Sequence, residues 1–149
     1  MTTVQASIIE WFKTCKPEPK EIDVVVQIGV HFEEVTEMLS ALLTVDSLTP
    51  ATIEQLRLTN EAMLQLANHF KNSATEISLK GMDIDTQELL LDTVIDQAVT
   101  GMGICTFLNQ DYNGALIGVS KSNHNQYDSQ TPIQTYHKDV INTVYETEL

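Results

Sequence analysis

The sequence predicts an all-α fold, a bundle of about four to five helices. Three observations carry that prediction. Apolar residues recur at steps of three and four over several long stretches, only 6% of residues are aromatic, and 149 residues hold just six Gly and four Pro. That length suits one domain with a real core. Residues 1–127 read as the helical domain, and 128–149 as a tail that is extended or packs on a neighbouring subunit.

The first helix is expected over residues 3–15, where Val4, Ile8, Trp11, Phe12 and Cys15 share one face and Pro17 and Pro19 stop the helix. Trp11 and Phe12, with Lys16 beside them, are either core residues or a stacking surface and a cation for a nucleotide. A second helix is expected from Glu21 to Thr44, with Val24, Ile28, Val35, Leu39 and Leu42 as its main apolar stripe. Gly29 in its interior costs about 1 kcal/mol relative to Ala, so it marks a close approach, either by another helix or by a ligand. Glu33, Glu34 and Glu37 fall within about 100° of one another on this helix, beside apolar or small residues. Unpaired charge there is unfavourable unless a metal or a partner neutralises it.

Thr49 caps a third helix that has Pro50 in its first position, and this helix shows no site chemistry. Asp83 and Asp85 match the start of a calcium-binding loop, but Glu88 at the sixth position and Val94 at the twelfth break the match. The fourth helix is expected over 86–108, capped by Asp85 or Thr86, with Leu91, Ile95, Ala98 and Met102 in one apolar row. Glu88, Asp92 and Asp96 stand beside that row at four-residue spacing, where they repel one another unless a cation intervenes. Two acid-bearing helices suggest a shared divalent ion. Carboxylates without paired Cys or His select Mg²⁺ or Mn²⁺ over zinc, and the alternative is pairing with Lys or Arg, or exposure to water. A shorter fifth helix is expected from Gly114 to about Asn123, where Lys121 and Asn123 can satisfy helix carbonyls or contact phosphate.

A net charge of −13 with eight basic residues argues against nucleic acid as a partner. No apolar run is expected to reach the roughly 18 residues of a membrane span, and Met1-Thr2-Thr3-Val4-Gln5 lacks a signal-peptide pattern, so no membrane and a cytosolic location are expected. Cys15 and Cys105, far apart in sequence, are expected as reduced thiols.

Glu33-Glu34-Val35-Thr36-Glu37, the block Leu90-Leu91-Asp92-Thr93-Val94-Ile95-Asp96-Gln97, and the stretch from Gly114-Ala115-Leu116 to Ser122-Asn123 together resemble the all-α nucleoside triphosphate pyrophosphohydrolases of the MazG type. That family includes the phosphoribosyl-ATP pyrophosphohydrolases. Gln27-Ile28-Gly29-Val30-His31-Phe32-Glu33-Glu34 and Val119-Ser120-Lys121-Ser122-Asn123 look most like its viral, MazZ-type branch, which converts dGTP to dGMP. The chain departs from the family pattern at Leu89 and Thr93, each three residues before an aspartate where an acid is common, and at Gln126, where a base is common.

The resemblance implies Mg²⁺-dependent release of pyrophosphate from a nucleoside triphosphate, in the host cytoplasm if the protein is viral. Glu34, Glu37, Asp92 and Asp96 would hold the metal, with Glu33 a further ligand or the base that orients water. Trp11, Phe12, Lys16 and Gln27 would line the base pocket, and Lys121 and Asn123 would meet phosphate or sugar. The broad apolar surface adds a homodimer or homotetramer to the expectation. The rival expectation is a non-catalytic helical oligomer, an adaptor or a divalent-metal-binding protein.

Overall fold

The computed structural model describes residues 3–128, with side chains through Ser122, and the tail expected from residue 129 onward lies outside them. Five α-helices follow one another, with no strand among the described residues: α1 (Val4–Cys15), α2 (Glu21–Leu42), α3 (Pro50–Asn72), α4 (Ile84–Phe107) and α5 (Tyr112–Asp128). A single 3-10 turn, Ala74–Glu76, follows α3. The chain divides into two compact units. One is Pro19–Met82, and the other joins the residues up to Glu18 with those from Asp83 onward.

In the first unit α2 and α3 form an antiparallel hairpin. Thr49 caps α3 as expected, its hydroxyl accepting from the Thr52 amide at 3.2 Å, with Pro50 in the first turn. The packed stripe of α2 is not the one the apolar pattern picks out. Val25, Gly29 and Thr36 are the buried residues, one position out of phase with the expected stripe, whose Val24 and Leu42 are exposed. The cause is size. Gly29 lies against Ala67, and α2 also meets the 3-10 turn that contains buried Ala74, so small residues set the helix separation and large apolar ones flank the seam.

A Cβ on Gly29 would stand 2.9 Å from the Ala67 carbonyl oxygen, 2.9 Å from the Phe70 Cβ and 2.8 Å from the Lys71 Cγ. The close approach is therefore made by a helix. Phe32 and Phe70 meet edge to face beside it, with ring centroids 5.6 Å apart. The Asn60 amide donates to the Ser40 hydroxyl at 2.9 Å further along the pair. Beyond the 3-10 turn, the Glu21 carboxylate accepts from the Leu79 amide and, at 3.1 Å, from the Ser78 hydroxyl, clasping the start of α2 to the outgoing chain.

In the second unit α1 packs on α5, and each contributes a buried side chain, Trp11 and Ser120. The α4 cap is Asp83 and not Asp85 or Thr86: its carboxylate accepts from the Thr86 amide at 2.8 Å, so the helix begins two residues early. Asn109, at φ 57, turns the chain out of α4 in the left-handed conformation that asparagine tolerates well. Asp111 then accepts from the Gly114 amide at 2.9 Å, and α5 runs on to Asp128, past the expected end at Asn123. Polar residues at its C-terminal half supply no stop signal of the Gly or Pro kind.

No residue of α4 is buried. Its 24 residues are long and apolar enough to cross a bilayer by length and composition alone, contrary to the expectation that no run reaches that length, although Asp92 and Asp96 interrupt the stretch.

Candidate functional site

The acids of α2 differ in their surroundings. The Glu33 carboxylate accepts from the Lys71 ammonium at 2.7 Å, in a partly buried ion pair that bridges α2 and α3. The stem of Lys71 crosses the notch that Gly29 leaves, so the missing side chain of one residue gives the lysine its path to the other. Glu34 is half-buried and Glu37 is exposed, on the neighbouring part of the same helix. The Thr36 hydroxyl between them donates to the Glu33 carbonyl at 2.7 Å, a local bond within the helix.

Lys71 is the site-related residue that sequence reasoning missed, since α3 was expected to carry no site chemistry. A signal was present. Lys71 follows Ala67 by four residues and so lies on the packed face of α3, where a lysine requires a partner.

Asp92 and Asp96 belong to the other unit. Both are exposed on α4, and Asp92 joins Asp85, Glu88 and Leu89 around an open hollow along that helix. Among the described residues no three His, Cys, Asp or Glu side chains converge on one point as metal ligands do. Carboxylate oxygens suit a hard divalent cation. The fit is one of donor chemistry, and neither unit by itself assembles the donors.

The residues expected to meet the nucleotide are divided in the same way. Gln27 is exposed on α2. Trp11, Phe12, Lys16 and Lys121 belong to the unit of α1, α4 and α5. Trp11 is buried, so it offers little ring face to a base, while Phe12, 45% exposed and in edge-to-face contact with it at 4.8 Å, offers more. The Trp11 indole nitrogen is buried without a hydrogen-bond partner among the described residues. Partial burial also pushes the nearby Cys15 thiol above its ordinary value. Lys16 and Lys121 are exposed, and Asn123 lies on α5 with its side chain outside those described.

Set against known proteins, the chain matches no family model, no curated protein and no solved structure.

Proposed function

We propose that this protein hydrolyses a nucleoside triphosphate to the monophosphate and pyrophosphate with Mg²⁺, or with Mn²⁺ in its place, in the cytosol. A deoxynucleotide such as dGTP is the first substrate to try. One observation carries the reading: an all-helical chain places carboxylates in rows on two long helices, α2 and α4, in an order that resembles the MazG-type enzymes. A bound Mg²⁺ would neutralise triphosphate charge and polarise the α-phosphoryl group.

On this reading Glu34 and Glu37 from α2, and Asp92 and Asp96 from α4, are the metal ligands. Glu33, held by Lys71, is the fixed acid of the set and the candidate to orient water. Phe12 offers its ring to the base with Trp11 behind it, and Gln27 offers an amide. Lys16 stands with them at the base pocket, and Lys121 and Asn123 supply donors for phosphate and sugar.

Incubation with each ribo- and deoxynucleoside triphosphate and Mg²⁺, with products separated by chromatography, tests the proposal. Monophosphate together with pyrophosphate is the expected result; orthophosphate alone, or no turnover with any nucleotide, defeats it. Glu37→Gln and Asp92→Asn should each lower turnover at least about 100-fold while helicity stays near that of the parent protein.

One observation favours a second reading, that of a non-catalytic helical protein. Glu33 already has a cation in Lys71, which is what an acid used only for helix packing would need. If Glu37→Gln and Asp92→Asn cost helicity and the parent protein turns over no nucleotide, that reading replaces the first.

A further inference from the structure

Asn113-Gly114 is the one Asn-Gly pair in the sequence. Both residues are exposed in the first turn of α5, and a glycine leaves its own nitrogen unhindered, so the Asn113 carboxamide has an accessible nucleophile in the next residue. Attack by that nitrogen closes a five-membered ring. The ring requires the Asn113 Cβ to lie in one plane with the Gly114 nitrogen, a rotation of ψ by roughly 80° from the helical value of about −42°.

Asp111 opposes that rotation. Its carboxylate accepts from the Gly114 amide at 2.9 Å and its carbonyl accepts from the Ala115 amide at 3.1 Å, so both bonds span the linkage between Asn113 and Gly114. A Cβ on Gly114 would collide with the same carboxylate. The absence of a side chain that makes this nitrogen reactive is therefore also what lets the cap reach it.

We propose that Asn113 and Gly114 form a self-modifying site whose rate is set by the Asp111 cap. The Gly114 nitrogen bonds to the Asn113 Cγ and gives up its proton, the Cγ–Nδ2 bond breaks, and ammonia leaves with that proton. Water then opens the ring. Attack at Cγ yields aspartate, and attack at the main-chain carbonyl carbon yields isoaspartate, in which the chain runs through the former side chain. Either product sets a second negative charge close to Asp111. Isoaspartate also adds one main-chain atom inside the turn that the Ala115 bond closes, so the first turn of α5 opens. The site uses none of the residues of the hydrolase reading and does not depend on it.

Storage of the full chain at neutral pH, followed by peptide mass mapping and detection of isoaspartate with an isoaspartyl methyltransferase, tests the proposal. Asn113 should convert before any other asparagine, with both acids among the products. Asp111→Ala should raise the rate about fivefold, the weight of one helix cap, while Asp111→Ser, which caps as well, should keep the parent rate. The chain unfolded in urea should convert faster than the folded parent. Another asparagine converting first, aspartate without isoaspartate, an Asp111→Ala rate no higher than the parent's, an Asp111→Ser rate equal to that of Asp111→Ala, or a folded chain as fast as the unfolded one each overturns the proposal.

Discussion

The α2–α3 hairpin and α4 are both built from helices of more than 20 residues, yet they use their residues in opposite ways. The hairpin is closed by small side chains and one ion pair, with Gly29, Thr36 and Ala67 in the seam and Lys71 on Glu33 at its edge. In α4 no large apolar residue is fully buried, and two of its glycines have open space around them. The contrast shows that average hydropathy does not say which helix is packed. Alpha-4 is the more apolar in appearance and the less buried in fact, because packing is decided by shape at the contact.

Glycine gives the sharpest way to break that comparison, and the largest effect. Gly29→Leu drives a side chain into the Ala67 carbonyl and should destabilise the protein by about 3 kcal/mol, read by urea denaturation. Gly103→Ala on α4 meets nothing and should stabilise the helix by up to about 1 kcal/mol through propensity alone. Equal losses at both positions would show that α4 is packed as tightly as the hairpin.

The ion pair comes next in size. Lys71→Met keeps most of the stem in the Gly29 notch but removes the ammonium from Glu33, and should cost about 1 kcal/mol, the pair being only partly buried. Unchanged stability in the same urea titration would reduce Lys71 to a packing role.

The smallest effect is a pH dependence. Hydrogen bonds from the Leu79 amide and then the Ser78 hydroxyl, with Lys80 nearby, hold the Glu21 carboxyl below its ordinary value. A carboxylate whose pKa is lower in the folded state contributes stability that is present above its unfolded pKa and is lost as pH falls through the folded one. Denaturation midpoints should therefore drop as pH falls below about 4.5, and Glu21→Gln should shrink that drop. Asp83, held low by its capping bonds to Thr86, adds to the loss at still lower pH. A Glu21→Gln variant with the parent's acid profile would show that the clasp does not contribute.

The order and type of the helices were legible in the sequence, since three- and four-residue periodicity and the Thr49-Pro50 start are strong local signals. The phase of α2 was not. Gly29 and Thr36 score as weak in any apolar pattern, yet they are what the partner helix rests on. Glu33, Glu34 and Glu37 were legible as an unusual acidic face, but the lysine that meets one of them came from α3, 38 residues further on. Pairings across that distance depend on helix register, which composition does not encode. The α4 cap was missed by two residues because Asp83, Asp85 and Thr86 are all competent caps and only one satisfies the Thr86 amide.

The short link between Leu42 and Pro50 carries a kinetic consequence. Two long helices joined this closely find each other with little loop-closure entropy, so the hairpin can assemble early and without the rest of the chain. Its seam of small residues then locks at one helix separation, and native hydrogen exchange should find its slowest amides near Val25, Gly29 and Ala67. A nascent chain would thus present a finished α2–α3 pair, with the acidic face of α2 already in place, before α4 has been made.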